Sequence, residues 1–143
     1  MDLYSILIMV HSGSAIFLLT LSTISVSIAV LIAVKPAVDH ANKELVKKAN
    51  VVGLLENIFA GIVTLTGLIV MFMGSWEFLD LWMWMSLAII VFYSVALVVI
   101  TKPARLRVAE DSSEVKTGLQ VVLEIGHLML LMIAFSLMMF RPM

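Results

Sequence analysis

Four ionisable side chains, His11, Glu56, Glu124 and His127, stand inside long apolar runs of this 143-residue chain. An ionisable group at membrane depth costs several kcal/mol, roughly 3 on insertion scales, so such groups face a protein interior and are kept for a purpose. Glu56 and Glu124 each follow a lysine, Lys48 and Lys116, by eight residues. At the helical rise that puts both carboxyls about 12 Å inside the boundary the lysines mark. Two carboxyls facing each other in a low-dielectric interior cannot both ionise cheaply, so at least one keeps a proton. A shared proton, a bound cation or a step in a proton relay each accounts for the pair. The blander account has them snorkelling to water or bonding a neighbouring helix.

Gln120, Glu124, His127 and Leu131 follow the i, i+4, i+7, i+11 spacing of one helical face, a polar stripe aimed inwards. Glu124-Ile125-Gly126-His127 has the Glu-x-x-His spacing of di-iron carboxylate bundles, which need two such motifs. This chain has one, which argues against a two-metal site and leaves Glu56, Glu124 and His127 as ligands for a single metal ion. His11 stands about 13 Å from the outer end of its span, beside Ser12 and Gly13, where a flat ligand can approach the backbone. Its readings are a bond to a neighbouring helix, or ligation of haem iron or a metal. His40, next to Asp39, reads as a solvated loop residue, and the methionines, Met129, Met132, Met138 and Met139 among them, as lipid contact and gap filling rather than copper ligands.

The elements holding these groups are set by composition. Hydrophobic residues make up 62% of the chain and charged residues 13%, against about a half and a quarter in soluble domains, and mean hydropathy is +1.13. This is an all-α membrane protein in one domain. A net charge of −1 gives no basic excess for nucleic acid, and the lack of cysteine excludes disulfides, thiol catalysis, iron–sulfur clusters and Cys-ligated zinc. Four stretches, 3–34, 51–73, 81–100 and 117–140, are long enough to span the apolar layer. The first lacks the basic start and cleavage pattern of a signal peptide and is expected to stay. Of the nine Lys and Arg, all but Arg141 fall in segments 35–50 and 101–116, which read as cytoplasmic loops with both termini outside. Trp76, Trp82 and Trp84 flank the outer 74–80 connection as an aromatic belt. A bacterial inner membrane is the expected location.

The two halves repeat. Lys35-Pro36-Ala37 returns as Lys102-Pro103-Ala104, 67 residues on; at an offset of 68, Lys48 matches Lys116, Leu55-Glu56 matches Leu123-Glu124, and Met71-Phe72 matches Met139-Phe140. The unit is a helical hairpin, about 1–73 and 74–143, used twice to give a four-helix bundle with a pseudo-two-fold axis along the membrane normal. Small residues let membrane helices approach closely. Gly53, Ala60, Gly67 and Gly74 form a heptad stripe beside Glu56, and Ser12 to Ala15, Ser22, Ser25 and Ala29 serve the first span.

A family resemblance rests on Ile8-Met9-Val10-His11, Leu65-Thr66-Gly67-Leu68, Leu81-Trp82-Met83-Trp84-Met85-Ser86-Leu87, Ala104-Arg105-Leu106-Arg107 and Phe140-Arg141-Pro142. In order and spacing these are similar to HemJ-type membrane protoporphyrinogen oxidases and CopD-like four-helix proteins. The resemblance implies b-type haem on the first-span histidine and oxidation of protoporphyrinogen, or, on the CopD side, copper handling. The expected function is a small haem b-binding redox-type membrane protein, with His11 as axial ligand and His127 as the second. A pair on one iron requires a tilted first span, because the two histidines differ in depth by about 7–8 Å. The alternatives are a non-enzymatic accessory subunit of a larger membrane complex, whose small-residue stripes contact partner subunits or further copies, and a metal- or proton-handling bundle built on Glu56, Glu124 and His127.

Overall fold

Lipid offers no partner to a backbone N–H or C=O, so apolar stretches of this length are stable as helices. The computed structural model describes residues 2–34, 39–74, 81–110 and 114–140, and among these there is no strand. The elements are α1 (Leu3–Val34), α2 (Asp39–Met73), α3 (Leu81–Ala96), a π-helical turn (Leu97–Thr101), α4 (Lys102–Glu110) and α5 (Glu114–Phe140). Four segments are long and apolar enough to cross a membrane: Leu3–Val34, Lys43–Met73, Leu81–Arg107 and Lys116–Met139. Large apolar side chains such as Leu54, Val122, Met129 and Met132 point outwards, as a lipid-facing surface requires. Thr20, Thr23, Ser27 and Ser136, exposed among them, donate their hydroxyls to the carbonyl four residues back, so no hydroxyl there needs water. Asp2 caps α1, accepting the Ser5 N–H at 2.9 Å. Hydrogen bonds from Ser5 hold the Asp2 carboxyl below the usual carboxylate range.

Two segments expected as loops are largely helical. Residues 39–50 form the first turns of α2, because Ala, Lys, Glu and Leu are strong helix formers. His40 is therefore a helical residue, not a loop one, although its side chain lies outside the described residues. Segment 101–110 continues the third span past a proline. Pro103 cannot donate to the carbonyl of Val99, and the π-helical turn just before it, closed by Lys102 N–H to Leu97 O, absorbs the mismatch. Lys35, Pro36, Ala37, Trp76, Glu77, Asp80, Arg141 and Pro142 lie outside the described residues.

Bonds between the helices fix their directions. His11 meets residues 63 and 66 while Ser25 meets Glu56, so α1 runs antiparallel to α2. Tyr93 reaches Glu56 and Arg105 reaches Asn50, so the third span is antiparallel to α2 as well. Thr101 with His127 and Arg105 with Glu124 give the same relation to α5. With α1 also packed on α5, the four spans enclose one interior. One end gathers the start of α1 with the ends of α2 and α5. The other carries the exposed Lys43, Lys47, Lys48, Lys102 and Arg107 and is called here the basic end. The interior is apolar at mid-depth, where Leu18, Ala60, Val63, Ile90, Leu97, Leu131 and Ala134 pack together, and again between α1 and α2 at Ile28, Ile32, Val46 and Ala49.

Burial recurs at an offset of 68. Leu18 and Ser86, Ser22 and Ile90, Ser25 and Tyr93, Ile28 and Ala96, and Ala29 and Leu97 are buried on α1 and the third span; Ala49 and Thr117, Glu56 and Glu124, Val63 and Leu131, and Thr66 and Ala134 are buried on α2 and α5. The heptad stripe on α2 faces protein: Ala60 is fully buried, Gly53 lies under Arg105 and Gly67 under His11. Gly13 departs from expectation, being exposed with open space where a Cβ would stand.

Candidate functional site

Glu56 and Glu124 both point into the protein, 0% and 1% exposed, and among the described residues they do not bond to each other. Each has its own partners. Oε1 of Glu56 accepts from the Ser25 hydroxyl of α1, and Oε2 accepts from the Tyr93 hydroxyl of α3 at 2.6 Å. Oε1 of Glu124 accepts from Arg105 Nη2 at 2.5 Å and from Gln120 Nε2, one turn back on α5, at 2.9 Å. Arg105, from α4, is only 3% exposed, and its other terminal nitrogen donates to Asn50 Oδ1 of α2 at 3.4 Å.

His127 sits against Tyr93, the partner of Glu56. Its ring meets the Tyr93 ring edge-on, centroids 5.0 Å apart at 84°, and its Nε2 lies 2.5 Å from Thr101 Oγ1. The result is a buried polar cluster fed by every span: Ser25, Glu56, Tyr93, Thr101, Arg105, Gln120, Glu124 and His127. Four of its atoms, Arg105 Nε, Gln120 Oε1, Glu124 Oε2 and His127 Nδ1, are buried with no hydrogen-bond partner among the described residues. Native interiors rarely leave such groups single, so the cluster has spare donor and acceptor capacity on its α5 side.

Local sequence explains how the third span supplies three members. Residues four apart drift by about 40° around an α-helix, so Tyr93, Leu97, Thr101 and Arg105 would fan out over about 120°. The wider π-helical turn over Leu97–Thr101 cancels part of that drift, and all four are buried. Gly53 then lets the guanidinium cross α2, because a Cβ there would stand 2.6 Å from Arg105 Nη1.

By sequence Glu56, Glu124 and His127 belong together, whereas Arg105 reads as a loop charge, Ser25 as a small packing residue, and Tyr93 and Thr101 have no assigned role. The available signals were the four-residue spacing from Tyr93 to Arg105 and the charge deficit of two interior carboxyls. The three-ligand metal site is not assembled: no group of three His, Asp or Glu suited to a metal occurs among the described residues, and the three side chains are bonded to hydroxyl, amide and guanidinium groups instead.

His11 lies elsewhere. Its Nδ1 is 3.0 Å from Val63 O and 3.1 Å from Thr66 Oγ1, the bond to a neighbouring helix that was one of its two readings. His127, through Tyr93, is level with Glu56, seven to ten residues away along α2, or about 10–15 Å. The structure therefore does not bring His11 and His127 to one iron. A carbonyl only accepts, so His11 Nδ1 carries the proton and Nε2 keeps its lone pair. That ring lines a cavity of about 500 Å³ between α1, α2, α3 and α5. No family model, curated protein or solved structure matches the chain, so the resemblance to HemJ-type and CopD-like proteins neither gains nor loses by comparison.

Proposed function

We propose that the chain is a small integral-membrane protein whose interior stores and passes a proton. The observation that carries this is a charge count: two fully buried carboxyls, Glu56 and Glu124, share one buried guanidinium, Arg105. Arg105 is committed to Glu124, whereas among the described residues Glu56 is bonded to hydroxyls, those of Ser25 and Tyr93. An uncompensated charge at this depth costs several kcal/mol, so the balancing proton belongs to Glu56, whose protonated oxygen then donates to one of its two hydroxyl partners while the other oxygen accepts. Tyr93 and His127 extend from Glu56 towards the α5 helix, which carries the spare acceptors of Gln120, Glu124 and His127, and Gln120 and Asn50 lie further towards the basic end.

In this reading the four spans form a bundle of two repeated hairpins, supported by the paired burial at an offset of 68. The basic end faces the cytoplasm and both termini the outside, supported by the lysines gathered there. The site exchanges its proton with that side.

Infrared spectra of the protein in liposomes, taken across a pH series, test the proposal. Wild type is expected to show a protonated-carboxyl band near neutral pH that Glu56→Gln removes. Absence of that band from wild type, or its survival in Glu56→Gln, would refute the assignment.

A further inference from the structure

The cavity beside His11 is separate from the buried cluster and has its own polar equipment. We infer that it binds a lipid-soluble hydroxyaromatic molecule, a phenol or hydroquinone with an apolar tail, held by hydrogen bonds to His11 Nε2 and Ser86 Oγ. Its volume of about 500 Å³ falls within the range of small-molecule sites, roughly 300–1,000 Å³. At its rim Ile8, Ile16 and Met139 are exposed, so a ligand dissolved in the apolar layer reaches it from the side.

Two groups define the head of the ligand. His11 is fixed as the Nδ1–H tautomer by Val63 O, which leaves Nε2 as an acceptor that calls for an O–H or N–H donor. Ser86 lines the same cavity, is 2% exposed and has no hydrogen-bond partner among the described residues. Thr20, Thr23, Ser27, Thr64 and Ser136 all turn back to their own helix, whereas Ser22 and Ser86 are buried without a partner among the described residues, and of these two it is Ser86 that lines the cavity.

The walls define the body. Trp82, Phe135, Met71, Met83 and Met138 surround the space, and aromatic faces and thioether sulfur favour an aromatic ring. No Lys, Arg, Asp or Glu is among the described lining residues. A phosphate headgroup, a fatty-acid carboxylate or the propionates of haem would find no counter-charge there, whereas a neutral hydroxyl finds two partners.

The test is equilibrium binding of radiolabelled decyl-1,4-benzohydroquinone to the protein in lipid nanodiscs, kept anaerobic, with empty nanodiscs as background. Saturable binding is expected, with the dimethyl ether, which has the same ring and tail but no O–H, at least fivefold weaker. Ser86→Ala and His11→Leu should each weaken the hydroquinone about fivefold to tenfold, as loss of one neutral hydrogen bond does. Ser86→Ala removes one oxygen and keeps the fold testable if His11→Leu does not fold. Equal binding of the ether, or unchanged binding in Ser86→Ala, means a cavity that takes acyl chains, and the inference fails. A Soret band in the purified protein that His11→Leu abolishes would place haem there and also overturn it. Glu56→Gln should leave hydroquinone binding unchanged, so failure here is separable from failure of the proton-site reading.

Discussion

Removing Arg105 is the most demanding perturbation of the buried cluster. In Arg105→Gln the Glu124 carboxylate, at 1% exposure, keeps Gln120 but loses the only charged partner it has among the described residues. With charge centres about 4 Å apart and an effective dielectric near 20, the lost attraction is about 4 kcal/mol. This agrees with the roughly 3–5 kcal/mol by which proteins are destabilised when one member of a buried pair is removed. Much of that is the cost of a stranded charge, so removing the charge as well should recover it. Glu124→Gln in the same chain is expected to bring the deficit down to about 1 kcal/mol, the scale of a neutral hydrogen bond. The assay is reversible unfolding in mixed micelles with a rising fraction of denaturing detergent, followed by tryptophan emission and run as a double-mutant cycle. If Arg105→Gln lies within about 1 kcal/mol of wild type, or if the double variant is no better than the single, the pair is not the buried ion pair described here.

Gly53→Ala should act on the same pair from α2: its Cβ would fall 2.6 Å from Arg105 Nη1, so the guanidinium must move, and the same unfolding assay should show a loss of about 1–3 kcal/mol that vanishes in an Arg105→Gln background. Tyr93→Phe removes the hydroxyl given to Glu56 Oε2 and should cost about 1–3 kcal/mol by that assay, while shifting the protonated-carboxyl band in the infrared spectrum. Asp2→Ala should speed amide exchange at Ser5 and fray the first turn of α1, with Asp2→Asn close to wild type. Because Ser5 holds the folded Asp2 carboxyl below its unfolded value, the cap's contribution is present above the unfolded value and is lost as pH falls through the folded one; Ser5 exchange protection, corrected for intrinsic rates, should fall in that acid window and not on the alkaline side.

How far the fold was legible follows from which physical rule each part obeys. The spans were readable because lipid imposes one requirement on every residue in them, and the first span ends at Leu3 and Val34 in both sequence and structure. Segments 39–50 and 101–110 are helical where their charge suggests loop. Charge marks where a chain leaves the apolar layer, not where a helix stops, and Lys, Glu and Ala extend a helix into water without cost. Glu56 and Glu124 were found together because the offset of 68 ties them, and interior carboxyls in lipid-depth helices have few places to go.

Arg105 is the member of the cluster that residue type and position do not reveal. Counting Lys and Arg by segment treats each as a vote on orientation, and a vote has no partner. Yet interior carboxyls carry a demand of their own: something must neutralise them, by proton, metal or cation. Applied to this chain, that demand singles out the basic residue whose spacing from a buried aromatic stays in step with the helix, and Tyr93, Leu97, Thr101 and Arg105 stay in step only if the turn between them is widened. A π-helical turn before Pro103 is hard to foresee from residue types, since the same Lys-Pro-Ala triplet would also suit a break. What Arg105 leaves undone is then informative. One guanidinium answers one carboxyl, and the second, Glu56, is left among hydroxyls, which is the charge arithmetic on which the proposed proton site rests.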